Sequence, residues 1–145
     1  MLAGYFIAGP AAADMNADKD AITAVALHYI ESQHTPDKNR MGKALHPDMK
    51  KRTYWHKKDG SEYVMETSRD TMLWVAENYN KDGKAFPEHP RKDINILALD
   101  GRIASVKLTA DDWIDYMHLM KSDDGTWQII NVLWQFHDHA QHVDR

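Results

Sequence analysis

The sequence contains no cysteine, which excludes disulfide bonds, zinc–thiolate sites and a cysteine nucleophile. It has no excess of positive charge either, because 18 lysine and arginine residues face 22 aspartate and glutamate residues, for a net charge of −4. This balance argues against nucleic-acid binding through a basic surface. The sequence also has no HExxH, no glycine-rich phosphate loop and no Gly-x-Ser-x-Gly motif. Any chemistry therefore depends on aspartate, histidine and tyrosine side chains.

The chain has 145 residues, of which 43% are hydrophobic. This length and composition fit one domain with an apolar core. Five tryptophans and six tyrosines are many for a chain of this size. Large aromatic side chains either fill a core or line a pocket, and the sequence leaves both possibilities open.

The N-terminal residues 1–13 are apolar and uncharged, and they are too few to cross a bilayer as a helix. The run ends in Ala11-Ala12-Ala13, which is typical of a signal-peptidase site, but no lysine or arginine precedes it. Two interpretations follow: a remnant signal peptide, which implies an exported or periplasmic protein, or a disordered tail on a cytoplasmic one. We divide the chain into a signal-like or disordered segment (1–15), a folded domain (16–137) and a polar tail (138–145) that we expect to be frayed.

Apolar residues at helical spacing predict three helices in the first half of the chain. The second half instead shows short strands joined by tight turns, which predicts an antiparallel meander. Helices followed by a meander indicate an α+β fold, with three N-terminal helices on one face of a bent antiparallel sheet. The predicted helices are 18–33, 37–45 and a third that is capped by Thr67 or Ser68 and ends at Gly83; the predicted strands are 49–57, 63–65, 94–99, 103–109, 113–121 and 127–136.

Two of the strands carry apolar residues at both alternating sets of positions, in the runs 116–120 and 133–136. Both faces of the sheet are therefore expected to be covered. The helices can cover only one face, so we predict a homodimer through the other.

This order of elements resembles the nuclear-transport-factor-2-like superfamily. The run MGKALHPD (41–48), which follows the first helix, resembles the superfamily's opening segment. The runs DWIDYMHLMK (112–121) and DGTWQIINVLW (124–134) resemble the ending of its lumazine-binding branch. The resemblance implies a cone-shaped fold with a deep pocket, in which catalytic members place an Asp, His or Tyr. The superfamily includes isomerases, dehydratases, cyclases and non-catalytic binding modules, so the fold alone assigns no activity.

Asp115 is the first candidate catalytic residue, because it shares one alternating face of its strand with Trp113 and Met117. A carboxylate between these side chains would lose hydration, which favours its protonated form and suits a general acid or base. The alternative is a structural Asp bonded to a backbone amide or to a neighbouring Asn.

Tyr116 and His118 are the other catalytic candidates, and His118 could carry protons near neutral pH or simply fill space. Their side chains point away from the face of Asp115, so Asp115 and His118 cannot form a dyad from this strand. The pairing register is open. A two-residue turn at 124–125 places His118 opposite Asn131, whereas a three-residue loop places Asp115 and Asn131 on one face.

The predicted ligand-binding residues are those on strands and helices that could face a pocket. The lysines and arginine that surround Tyr54 and His56 either attract an anionic ligand or form a solvated edge. We expect no physiological metal site at the C-terminal histidines 137, 139 and 142, because a frayed tail offers no ordered ligands, and no cofactor. The ligand-binding residues are Tyr54, His56, Trp74, Trp113, Asn131 and Trp134.

Three functional hypotheses remain. The first is a binding protein for a small hydrophobic or aromatic molecule, without catalysis, nucleic acid or membrane as partners. The second is a cofactor-free isomerase, dehydratase or cyclase that uses Asp115, or His118 with Tyr116, for proton transfer. The third is an accessory protein whose pocket is filled by its own side chains.

Overall fold

The computed structural model describes residues 10–145. Three helices and six strands make up the domain, so the predicted α+β architecture is confirmed. None of the helices described is long and apolar enough to cross a membrane. The helices are α1 (Pro10–His34), α2 (Lys38–Ala44) and α3 (Arg69–Asn78), the strands are β1 (Leu45–His56), β2 (Glu62–Ser68), β3 (Lys92–Asp100), β4 (Ile103–Ala110), β5 (Trp113–Lys121) and β6 (Trp127–Phe136), and a short 3₁₀ helix covers His139–Gln141.

The six strands form one open sheet in the order β2-β1-β6-β5-β4-β3. All neighbouring strands are antiparallel except β1 and β6, which run parallel. The sheet is therefore mixed, and the expected antiparallel pairing holds for four of its five strand pairs. Strand β2 pairs with one edge of β1, and the meander places β6 along the other edge, where it runs parallel to β1.

The helices cover one face of the sheet and enclose the core. In α1 the apolar residues recur at intervals of three and four, which places them on a single buried face. In β4 and β5 every second side chain points to the helices, as the pleat of a strand requires. The fully or almost fully buried residues of these elements are Ile22, Ala26, Tyr29, Ile30, Ser32, Gln33, Ala104, Val106, Leu108, Ala110, Trp113, Asp115, Met117 and Leu119.

Several element boundaries differ from the sequence expectation. Helix α1 begins at Pro10 rather than near residue 18, and proline fits the first turn because that turn needs no backbone N–H partner. Residues 1–9, most of the signal-like segment, lie outside the described residues. Strand β1 begins at Leu45 rather than at residue 49, directly after α2 ends at Ala44, and it continues through Pro47, where the pairing with β6 is irregular.

The start of the third helix and the bounds of the last two strands follow the expectation closely, whereas α3 ends at Asn78 and not at Gly83. Ser68 caps α3, since its side-chain oxygen accepts a hydrogen bond from the Thr71 N–H at 3.2 Å. Strands β5 and β6 have the predicted bounds. These two strands carry most of the residues considered below.

The C-terminal tail is ordered against β1, so the expectation of a frayed tail is wrong. The His56 N–H donates to the His142 carbonyl at 3.0 Å, and the Asp144 N–H donates to the His56 carbonyl at 2.9 Å. The Trp55 indole N–H donates to the Asp144 carboxylate at 3.1 Å. The tail thus continues the sheet beside β1 beyond the end of β6, and His142 is 1% exposed.

Candidate functional site

The register of β5 against β6 decides which side chains face the helices. His118 pairs with Asn131 and Asp115 pairs with Trp134, with an irregularity between His118 and Leu119. Of the two registers that the sequence leaves open, the structure adopts the one in which Asp115 and Asn131 occupy opposite faces. Asp115 therefore points to the helices together with Trp134.

A buried ion pair lies beneath the helices. The Lys51 ammonium donates to the Asp115 carboxylate at 2.8 Å and to the Tyr29 hydroxyl at 2.7 Å. The second carboxylate oxygen of Asp115 accepts the Trp113 indole N–H at 2.8 Å. Residues of β1, β5 and α1 thus join in one network, in which the Lys51 side chain is 8% exposed and that of Asp115 is 0% exposed.

Strand alternation explains why these charges are buried. Lys51 follows Met49 and precedes Thr53 on the inward face of β1, and all three residues are buried. Asp115 occupies the equivalent inward position of β5. A buried charge is costly unless it is paired and hydrogen-bonded, and here both oxygens of Asp115 have a donor.

The network also fixes the protonation state of Tyr29. Burial raises the pKa of the Tyr29 hydroxyl well above its ordinary value of 10.0, and the negative charge of Asp115 raises it further. The phenol therefore stays protonated while the chain is folded. The Tyr29 hydroxyl accepts a hydrogen bond from Lys51, and the negative charge of the network lies on Asp115.

A cavity of about 220 Å³ adjoins this network. Its walls are mainly aromatic and aliphatic, and the Lys51 ammonium lies 4.8 Å from the ring centroid of Trp134. Asp115 is not among the lining residues and lies behind Lys51 and Trp113. The cavity is lined by Tyr79, Trp113, Trp134, Phe136, Met72 and Val75, together with the polar Gln33, Lys51, Thr67 and Thr71.

Several depressions of larger volume lie elsewhere among residues 10–145. One of about 760 Å³ lies between α1 and the loop before β3, where Glu31 is paired with both Arg40 and Lys92. Both cations at this depression therefore already have an anionic partner. Another, of about 440 Å³ and with mainly apolar walls, lies beside His118 and Met120 on the sheet. None of these larger depressions is lined by Lys51 or Asp115. Within the described part of the chain, the aromatic cavity is the depression that adjoins the buried ion pair, so it is the candidate site.

The structure separates the predicted catalytic residues. Tyr116 and His118 lie on the sheet face opposite Asp115, and Tyr116 is 48% exposed. Asn131 lies on that same outer face, within 3.3 Å of the His118 imidazole. The expectation that Asp115 and His118 cannot form a dyad is confirmed. Tyr116, His118 and Asn131 do not line the aromatic cavity, since β5 and β6 turn them away from the helices.

The predicted ligand-binding residues are also divided. Trp113 and Trp134 line the cavity. Tyr54 instead stacks on the His142 ring, with 4.4 Å between the ring centroids, and His56 lies 3.5 Å from the Glu62 carboxylate. These residues lie at the C-terminal end of β1, away from the cavity.

Trp74 is 62% exposed on α3 and does not line the cavity. Its helix presents Met72, Val75 and Tyr79 to the cavity. A position two residues from Met72 and one from Val75 falls on another side of a helix with 3.6 residues per turn.

The C-terminal histidines do not form a metal centre in the described chain. Both ring nitrogens of His142 are engaged: Nε2 accepts the Phe136 N–H at 2.8 Å, and Nδ1 donates to the Tyr54 carbonyl at 3.1 Å. Within residues 10–145, no three side chains of metal-binding type converge.

The sequence pattern did not identify Lys51, which pairs with Asp115, or Tyr29, which accepts a hydrogen bond from Lys51. Lys51 lies in the basic run around Tyr54 and His56, for which the sequence indicates either an anion-attracting cluster or a solvated edge, and Tyr29 lies on the apolar face of the first predicted helix. One signal was available: Lys51 alternates with Met49 and Thr53, so it shares their face of the strand. An inward lysine needs an inward carboxylate, and Asp115 is the acidic residue on the buried face of β5.

The sequence matches the family described as "Putative lumazine-binding" over residues 17–135. The chain belongs to this family. The match includes β1 and β5, so Lys51 and Asp115 both lie within the family's domain. No curated protein matches the sequence.

Comparison with solved structures gives independent information on the fold. An NTF-2-like protein of unknown function from Silicibacter pomeroyi is similar at 15% identity and a TM-score of 0.64, over 85% of this chain and 98% of that one. A ketosteroid isomerase-like protein from Erwinia carotovora is similar at 14% identity and a TM-score of 0.52, over 82% and 95%. A conserved protein from Planctomyces limnophilus is similar at 14% identity and a TM-score of 0.55, over 83% of this chain and 98% of that one. At these identities the likeness establishes the nuclear-transport-factor-2-like fold alone.

Proposed function

We propose that the chain binds a small, flat, mainly apolar molecule in the aromatic cavity, with its polar edge at Lys51. The observation that carries the proposal is the composition of the cavity wall. Rings of Trp113, Trp134 and Phe136 line it together with one buried ammonium group. Apolar walls with few polar groups are typical of small-molecule sites, in which the polar groups orient the ligand.

The size of the cavity limits the ligand. Its volume of about 220 Å³ is below the roughly 300–1,000 Å³ typical of sites for drug-sized molecules. A compound with one or two fused rings fits this space, and flat rings can stack on the indoles of Trp113 and Trp134. We therefore expect a compact aromatic or heteroaromatic ligand.

The position of Asp115 favours binding over acid–base catalysis. A general base must reach the proton that it removes, within hydrogen-bond distance or through one water. Asp115 is fully buried and has both carboxylate oxygens engaged, by Lys51 and by Trp113. The alternative, a cofactor-free isomerase, dehydratase or cyclase, would require the ligand to displace one of these donors.

Binding can be tested by protein NMR titration with three flat probes, namely lumazine, indole and acetophenone. Lumazine is included because the family carries its name. We expect saturable shifts of the Trp113 and Trp134 indole signals with at least one probe. Shifts confined to other residues, or none with any of the three, would contradict the proposal.

A matched pair of variants tests the location. Val75→Phe places a ring into the cavity from α3 and should abolish binding of the probe. Val64→Phe makes the same change on β2, where Val64 is 67% exposed, and should leave binding unchanged. Equal affinities of the two variants would place the ligand elsewhere.

We further propose that the outer face of the sheet pairs with a second copy of the chain. Leu133 and Tyr116 are neighbours on β6 and β5 and are 59% and 48% exposed. Contiguous exposed apolar side chains on a sheet face are typical of an interface. Sedimentation should show a dimer, and Leu133→Glu should shift it to monomer. The control Trp74→Glu, on a helix with its side chain 62% exposed, should remain dimeric; a monomeric wild type would contradict the proposal.

A further inference from the structure

We infer that the ligand meets Lys51 with an uncharged carbonyl oxygen, as in a ketone, amide or ring lactam, and not with a carboxylate. The inference rests on the proposed function and names the chemical class of the ligand's polar edge. It follows from the hydrogen-bond inventory of Lys51 and from the charge balance around it.

The hydrogen-bond inventory leaves one donor of Lys51 for a ligand. An ammonium group has three N–H donors and no acceptor. Two of these donors are used by Asp115 and Tyr29, and no third acceptor is found among residues 10–145. Lys51 lines the cavity, and its ammonium lies against the ring of Trp134. A ligand in the cavity therefore finds a hydrogen-bond donor, which requires an acceptor atom on the ligand.

The charge balance determines which kind of acceptor is favoured. The positive charge of Lys51 is already neutralised by Asp115 at 2.8 Å. Among the described residues that line the cavity, Lys51 is the sole lysine, arginine or histidine. A ligand carboxylate would place a second negative charge on one ammonium group, near Asp115 and among apolar walls that screen poorly. An uncharged carbonyl accepts the same hydrogen bond without that repulsion.

Three probes of nearly equal shape separate these possibilities. Acetophenone carries an uncharged carbonyl, benzoate carries a carboxylate, and α-methylstyrene replaces the carbonyl oxygen of acetophenone with a CH₂ group. Dissociation constants at neutral pH are measured by NMR titration of the wild-type protein. We expect acetophenone to bind at least about tenfold more tightly than benzoate, because of the repulsion from Asp115. It should also bind several-fold more tightly than α-methylstyrene, because only the carbonyl accepts a hydrogen bond.

The outcomes distinguish this inference from the proposed function. If α-methylstyrene binds as tightly as acetophenone, the cavity binds ligands but Lys51 gives no hydrogen bond, and the inference is wrong. Tighter binding of benzoate would also overturn it while leaving the proposed function intact. Absence of binding by all three probes would overturn the inference, and it would contradict the proposed function as well if lumazine and indole also fail to bind.

A charge-removing variant gives a second, independent readout. Asp115→Asn leaves Lys51 without its neutralising partner, so benzoate should gain at least about tenfold relative to acetophenone. The control Asp123→Asn removes a carboxylate that is 96% exposed and pairs with Arg102 on the surface, and it should leave the ratio of the two dissociation constants unchanged. An unchanged ratio in folded Asp115→Asn would refute the charge argument, and the wild-type ratio tests that argument even if this variant does not fold.

Discussion

Replacing Lys51 by methionine should destabilise the protein strongly. Methionine keeps the length and apolar character of the side-chain stem but removes the ammonium group. Asp115, which is fully buried, would then retain only the hydrogen bond from Trp113. Breaking a buried pair by removing one partner costs about 3–5 kcal/mol, because an uncompensated charge stays in the interior. This is a large part of the roughly 5–15 kcal/mol that stabilises a domain of this kind.

The adjacent residue supplies a matched control. Lys50 lies on the other face of the same strand, is 44% exposed, and pairs with Glu66 at 3.1 Å. Lys50→Met makes the same chemical change at a surface ion pair, which is worth about 0–1 kcal/mol. Urea unfolding of both variants, followed by circular dichroism, measures the difference. If the two variants lose the same free energy of unfolding, then breaking the buried Lys51–Asp115 pair costs no more than breaking a surface ion pair, and the prediction is wrong.

Two further predictions concern titratable groups that the fold holds in one state. Burial lowers the pKa of His142 below its ordinary 6.5, so the folded chain prefers the neutral ring. The contribution of the neutral ring to the free energy of unfolding should therefore be fully present above about pH 6.5. It should fall as the pH drops below that value, by up to about 1.4 kcal/mol per pH unit. In thermal unfolding, a His142→Gln variant should lose this part of the pH dependence. Tyr29→Phe should cost about 1–3 kcal/mol in urea unfolding, because Lys51 loses an acceptor. The same variant should give the same alkaline absorbance titration as the folded wild-type protein, because the raised pKa of Tyr29 keeps its hydroxyl protonated until the chain unfolds. If the variant loses one phenolate from that titration, Tyr29 ionises in the folded protein and this prediction is wrong.

The parts of the fold that were predictable from the sequence are those encoded locally. Strands β5 and β6 follow from alternation between two turns, and Ser68 caps α3 because a serine precedes an amphipathic run. The parallel pairing of β1 with β6 was not predictable, because strand order depends on contacts between residues far apart in the chain. The ordered tail was missed for the same reason: its polar composition suggested fraying, whereas His142 is buried by Tyr54 and Phe136.

The candidate site shows the same limit. Trp113 and Asp115 could be selected because they share one alternating face of β5, and Trp134 because it is a large aromatic side chain on the neighbouring strand β6. The face on which they lie depended on the register, which an irregularity near His118 sets and which the turn residues alone do not determine. Lys51 was missed because a run of basic residues is usually solvated, while alternation buries only one member of this run.

Intermolecular NOE contacts between bound acetophenone and the protein would locate the ligand relative to the aromatic cavity beside Lys51. We expect contacts from the ligand ring to Val75, Trp113 and Trp134, and contacts from the acetyl methyl group to the Lys51 side chain. Contacts confined to the outer sheet face around Tyr116 would contradict this expectation.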